Sequence, residues 1–313
     1  MRLKGKWIKQ VLLSLMIIGI LFPQNVRAID RMDEERPVTL SIDYQNAGEL
    51  AVGTEARLYK VADVFGFGEF KLAGAFAGYP LSLVDLDAEG FRVLAETLEI
   101  YVAKDNIEPD DMGVVDETGI LKFPVEQYEM SKGLYLVLSE NYIDEQQNYV
   151  FAPLLICLPN RDVNDQWVYD ETIYPKDGPA DVTDELKVVK IWKDSKDEKK
   201  RPEEIEVELL MDGEVVQTVK LNEDNNWRYE WKMLEEGHEW KVAEKKVPAG
   251  YTVKITKEQT TYIITNTSNP PTPPETPPRL PQTGVLWWPV PILAGVGMVF
   301  FMIGWVKRRR FGE

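Results

Sequence analysis

Apolar and polar side chains alternate along residues 38–44, with Val38, Leu40, Ile42 and Tyr44 against Thr39, Ser41 and Asp43. A period of two puts each set on its own face of an extended strand. Residues 56–62 follow a glycine-containing turn and read as a second strand. Over 87–104 the period lengthens: Phe91, Leu94, Ala95, Leu98, Tyr101 and Val102 recur at helical spacing, with Gly90 weakening the first turn. Strand signals resume at 119–123, 133–138, 149–158 and 167–174. Short strands separated by turns, with one helix among them, predict a β-sandwich with a helical insertion over residues 30–176.

Residues 177–185 are polar, contain Gly178 and Pro179, and read as a linker. Strand patterns then follow at 186–192, 205–211, 215–221, 227–231, 239–244, 251–254 and 260–267, with a charged loop over 193–201. Asp212-Gly213 is a strong hairpin signal. Helical periodicity is missing, so residues 186–267 are expected to form a second, all-β sandwich.

Both ends of the chain are patterned differently. Arg2, Lys4, Lys6 and Lys9 precede an apolar core at 11–22, and Val26-Arg27-Ala28 offers a cleavage site, so residues 1–28 read as a signal peptide. Residues 268–279 hold six prolines, a composition that favours an extended, stiff stalk. Leu280-Pro281-Gln282-Thr283-Gly284 comes next, then an uncharged apolar run at 285–306 and Lys307-Arg308-Arg309-Arg310 within the tail 307–313. At roughly 1.5 Å per residue the run suffices for a transmembrane helix, and the cations hold its far end in the cytoplasm.

Charge and composition narrow the function. The full chain has 36 Lys and Arg against 52 Asp and Glu, a net charge of −16, and both termini are cationic, so the part between them is more acidic still. Such a surface repels nucleic acid and anionic lipid. Cys157, the single cysteine, lies in an apolar run and reads as a small hydrophobe; no internal disulfide is available. The single histidine, His238, has no Cys or His companion, so neither a metal site nor a cofactor is expected. Nothing in the sequence composes a nucleophilic triad or a phosphate loop, and an enzyme acting on an outside substrate is not expected.

The order of LPQTG, apolar span and basic tail resembles the cell-wall sorting signal of Gram-positive surface proteins. That resemblance implies cleavage by a sortase between Thr283 and Gly284 and covalent attachment to peptidoglycan. Residues 133–137, 151–155 and 174–176 resemble the N-terminal domain of Gram-positive pilus subunits. The stretch from Trp167 to Lys176 resembles the pilin motif WxxxVxVYPK, with Glu171 and Ile173 in place of its valines. The resemblance makes Lys176 the candidate polymerisation lysine; the alternative is an exposed lysine at a domain boundary. Many such domains carry an internal cross-link, but here the first strand offers no lysine. Ser139 stands where the assisting glutamate is expected, and Glu140, one step on, points to the opposite face. No cross-link is expected there.

Lys190-Ile191-Trp192, Arg201-Pro202, Trp227, Pro248-Ala249-Gly250-Tyr251 and Ile264-Thr265-Asn266-Thr267 resemble the Cna protein B-type domain. The two resemblances imply tandem immunoglobulin-like sandwiches. In the B-type family a lysine on the first strand and an asparagine on the last often form an isopeptide bond assisted by a glutamate; carried over, these are Lys190, Asn266 and Glu244. Strand period tests the carry-over separately, since Lys190 shares a face with Leu186, Val188 and Trp192, Asn266 with Tyr262 and Ile264, and Glu244 with Trp240 and Val242. The alternative is a buried Lys190–Glu244 ion pair beside a hydrogen-bonding Asn266. The whole reads as a wall-anchored structural protein, a pilus subunit of minor or basal type, with sortase, peptidoglycan and other subunits as partners. A monomeric adhesin binding a host or matrix ligand is the alternative; the Gly- and Phe-rich segment 64–79 is its candidate contact surface, against a packed loop as the expected reading of that segment.

Overall fold

The computed structural model describes residues 32–268 except 34, 46–51, 67, 85, 127, 141, 144–147, 180–183 and 195–200. The expected signal peptide, the stalk beyond Ser268, the LPQTG motif, the apolar span and the basic tail lie outside the described residues. Among the described residues, no helix is long and apolar enough to cross a membrane.

In the first region β1 (Thr39–Asp43), β2 (Glu55–Phe65) and β3 (Glu69–Leu72) precede helix α1 (Ala88–Asp105). They are followed by β4 (Asp111–Val114), β5 (Ile120–Phe123), β6 (Gly133–Ser139), β7 (Tyr142–Ile143) and β8 (Asn148–Phe151). Next come β9 (Leu154–Leu158), β10 (Asn160–Arg161), β11 (Trp167–Val168), β12 (Asp170–Ile173) and β13 (Asp177–Pro179). One sheet has the order β12-β1-β5, with β1 and β12 parallel; another has β3-β2-β6-β9, with β4 also on β2. Between these sheets Leu40, Ile42, Tyr44, Phe123, Tyr135 and Leu158 form one core.

The second region comprises β14 (Glu185–Lys193), β15 (Glu204–Met211), β16 (Glu214–Asn222), β17 (Arg228–Lys232), β18 (Trp240–Glu244), β19 (Tyr251–Glu258) and β20 (Thr261–Ser268). The sheet β17-β14-β20-β19 faces the sheet β16-β15-β18, and β14 runs parallel to β20. Asp212 and Gly213 turn the β15–β16 hairpin, both at positive φ, as a two-residue turn between twisted strands requires.

Helix α1 begins where the Asp87 carboxylate accepts the Gly90 N–H (2.7 Å) and ends at Asn106 in the left-handed conformation. Its burial is wider than one apolar stripe: Val93, Thr97 and Ile100 are buried along with Leu94, Leu98 and Tyr101. The reason is that it packs on both regions. A single hydrophobic cluster runs from Tyr59, Leu134 and Leu136 through Leu94 and Leu98 to Val188, Val253 and Ile264. The sheet carrying β6 is therefore covered on both faces, which explains the unbroken apolar run Leu134–Leu138.

Two features depart from the expected pattern. Residues 177–179, read as linker, form β13 on the edge of β8, with Asp177 opposite Phe151; the pairing satisfies strand edge groups that composition does not reveal. Strand β4 carries no apolar alternation because Met112 and Val114 face outward. Its Gly113 is held by close approach, since a Cβ there would lie 2.7 Å from Leu121 and Val125. The segment 64–79 belongs to a β2–β3 hairpin and a short 3-10 turn, with Phe76 buried and Phe70 and Tyr79 packed against the core.

Candidate functional site

Lys190, Glu244 and Asn266 meet inside the second region. Alternation along β14 buries Leu186, Val188 and Lys190, and alternation along β20 buries Tyr262, Ile264 and Asn266. In the parallel register Lys190 faces Ile264 and Trp192 faces Asn266, so the amine and the carboxamide project from neighbouring strands into one interior. Glu244, the last residue of β18, reaches them from the opposite sheet. Exposure is 4 % for Lys190 and 0 % for both Glu244 and Asn266.

The carboxylate bridges the other two side chains. Lys190 Nζ lies 3.1 Å from Glu244 Oε2, and Asn266 Nδ2 donates to Glu244 Oε1 at 3.0 Å. Asn266 Oδ1 is buried and accepts no hydrogen bond among the described residues, an arrangement that costs about 1–3 kcal/mol in an ordinary core. Aromatic rings close the site. The Lys190 amine sits 4.6 Å from the Trp192 ring centroid, and Trp192 meets Trp227 and Tyr251 edge-on at 5.3 and 5.1 Å. Tyr251 in turn donates to Asp194 (2.8 Å), which pairs with Arg201.

Burial sets the proton chemistry. Removal from water pushes the Lys190 amine down to about 8, against the opposing pull of Glu244. The same desolvation raises the Glu244 carboxyl, offset by Lys190 and Asn266. The proton affinities of the amine and the acid have thus moved toward each other.

The other sequence candidates are dispersed. Lys187 is half exposed and pairs with Glu185 (3.2 Å) and Glu230 (3.4 Å). Lys176 is exposed between β12 and β13, its carbonyl accepting the Ala152 N–H at 2.9 Å. Glu171 and Ile173 on β12 are half-buried. Ser139 is hydrogen-bonded to the buried Tyr44 hydroxyl at 2.6 Å, while Glu140 is exposed and pairs with Arg57. Cys157 is half-buried, and desolvation pushes its thiol up to about 12, which keeps it protonated and inert. His238 is bound to Asp212 (2.6 Å). Among the described residues no group of three His, Cys, Asp or Glu side chains could hold a metal. Sequence reasoning missed Tyr101, whose hydroxyl lies 3.5 Å from the Glu244 carbonyl oxygen; a residue 143 positions away leaves no local signal.

Comparison with known proteins finds a curated relative, solved structures and a family model. The collagen adhesin of Staphylococcus aureus is 38% identical over 82 residues, which make up 26% of this chain and 7% of that protein. The matched stretch is thus a small part of that relative's length. Among solved structures, a single B repeat unit of the S. aureus collagen-binding surface protein aligns at 19% identity and a TM-score of 0.27, covering 77% of this chain and all of that one. The major pilin SpaD of Corynebacterium diphtheriae aligns at 13% identity and a TM-score of 0.29, covering 78% of this chain and all of that one. The minor pilin GBS52 of Streptococcus agalactiae gives 16% and 0.24, covering 77% of this chain and all of that one. Residues 186–267, which carry Lys190, Glu244 and Asn266, match the family of the Cna protein B-type domain.

Proposed function

We propose that this is a structural protein of a Gram-positive cell surface, a pilus subunit of minor or basal type. Its B-type domain is locked by an isopeptide bond between Lys190 and Asn266. The observation that carries this reading is the buried contact of an amine, a carboxyl and a carboxamide in an apolar interior.

The chemistry follows from the proton shared by the pair. When it resides on Glu244, Lys190 is a neutral nucleophile and the carboxyl is a donor. Half a turn of the Asn266 carboxamide brings Oδ1 to the position of Nδ2, where the acid donates to it and polarises the carbonyl. Lys190 Nζ attacks Cγ and forms the new C–N bond. Glu244 takes up a proton from the attacking nitrogen and passes one to the departing NH2 group, so the C–Nδ2 bond breaks and ammonia leaves. No oxidant is consumed and Glu244 is restored. The reaction occurs once per molecule, as a maturation step. Peptide mapping tests it: a branched peptide joining the segments around Lys190 and Asn266 is expected, and two unmodified linear peptides contradict it.

The LPQTG motif, with cleavage after Thr283, supports attachment to peptidoglycan by a sortase, and the 268–279 stalk would lift the two domains through the wall. Lys176, exposed at the end of the first domain, is the proposed acceptor amine for polymerisation. Immunoblots of wall extracts from cells carrying the native chain or Lys176→Arg decide this. A high-mass ladder lost in the variant supports a polymerising pilin. A single band in both contradicts polymerisation and favours a monomeric adhesin, the reading to which the collagen adhesin relative lends support.

A further inference from the structure

The two strands flanking the bond-forming residues are both sheet edges: β18, which ends at Glu244, and β19, whose Val253 lies opposite Asn266. Open edges leave backbone groups without a ladder partner and are free to shift. Here the first region covers them. Helix α1 lies against β18 and β19, and its Thr97 is fully buried. The Thr97 hydroxyl accepts the Ile255 N–H at 2.9 Å, as the carbonyl of a further strand would, while its own proton has the Val93 carbonyl at 2.8 Å and the Ile255 carbonyl at 3.2 Å within reach. Two residues along, the Val253 N–H donates to the Pro80 carbonyl at 2.9 Å. One helical turn after Thr97, the Tyr101 hydroxyl faces the Glu244 carbonyl oxygen (3.5 Å), and on the helix flank Glu99 pairs with Lys241 of β18 (3.4 Å).

We infer that helix α1, through Thr97 and Tyr101, is a positioning element for the Lys190–Asn266 amide. Docked, it fixes β18 and β19 at the separation where Glu244 reaches both partners, so bond formation in residues 184–268 waits on folding of the region before it. Neither side chain touches a reacting atom; each acts through the strand it holds. This inference rests on the isopeptide reading above. It adds an order of events, in which the helix docks first and the bond then closes.

The test follows the full chain made by cell-free translation, with samples quenched over time and the loss of one ammonia read by intact mass. Native chain, Thr97→Val, Thr97→Ser, Tyr101→Phe and the Thr97→Val/Tyr101→Phe double variant are compared, with near-UV circular dichroism to confirm a folded state. The double variant should react ~10-fold more slowly or worse, the effect of about one lost hydrogen bond on a barrier. Thr97→Ser, which keeps the hydroxyl, should react at the native rate, whereas a purely structural role would lower the melting temperature and leave the rate unchanged. Folded variants that all lose ammonia at the native rate overturn this inference and leave the amide standing. A native chain that never loses ammonia overturns both. Should the double variant not fold, Thr97→Val against Thr97→Ser decides.

Discussion

In the first region β1 runs parallel to β12, and in the second β14 runs parallel to β20, so both regions pair the opening strand with one at or near the end. Their interiors are filled differently. Tyr44, just past β1, is buried, meets Phe151 edge-on at 5.3 Å and shares a 2.6 Å hydrogen bond with Ser139 at the end of β6. Every polar atom in that pair is neutral and satisfied. Lys190 on β14 instead meets Glu244 at the end of β18, and Asn266 beside them has a buried oxygen that accepts no hydrogen bond among the described residues. A similar strand plan can be closed by a neutral hydroxyl pair or by a buried ionic one. The second arrangement makes sense as a resting place for chemistry more than as a source of stability, because buried ion pairs recover little of their desolvation cost.

The contrast can be broken most strongly from the ionic side. Glu244→Ala should abolish the bond and cost at least ~4 kcal/mol in denaturant unfolding. It removes a cross-link closing the span from 190 to 266 and leaves Lys190 buried without a counter-charge. The reverse change imports a charge into the neutral interior. Ser139→Glu should cost about 3 kcal/mol at neutral pH with no cross-link formed, because Tyr44 offers no amine. A carboxyl whose folded pKa is raised binds its proton more tightly folded than unfolded. The deficit should therefore shrink as pH falls toward the ordinary carboxylate range, which unfolding at two pH values would reveal.

The pH dependence of ammonia loss sharpens the comparison. The reactive state holds one proton between Lys190 and Glu244. In acid a second proton locks the amine as ammonium; above about 8 the pair loses its only proton and Glu244 no longer donates. The rate should be bell-shaped, falling up to ~10-fold per pH unit on the alkaline side. The smallest effect belongs to Tyr44→Phe, which strands the Ser139 hydroxyl and should cost about 1 kcal/mol with cross-linking elsewhere unchanged.

Much of this was legible in the chain. Period-two alternation put Lys190, Glu244 and Asn266 on inward faces because each lies among Leu, Val, Ile or Trp at every second position. The same rule put Glu140 outward, where it pairs with Arg57. Alternation fails where a strand has no wet face or no dry one. The β6 run is buried on both sides, β4 presents Met112 and Val114 to solvent, and β13 is held by its ladder with β8, next to which the Ala152 N–H donates to the Lys176 carbonyl. The helix face had a subtler defect. Thr97 has no place in the apolar spacing of the helix, yet it is fully buried, and its hydroxyl accepts the Ile255 N–H at the edge of β19. Contacts between residues 158 apart in sequence leave no periodic trace.

The most direct measurement is the intact mass of the full chain beside Glu244→Gln, a near-isosteric change that removes the proton donor and acceptor. The expected result is a native chain lighter than its calculated mass by one ammonia and a variant at its calculated mass. A native chain at full mass would contradict the isopeptide and leave Lys190, Glu244 and Asn266 as a buried ion pair with a hydrogen-bonded neighbour.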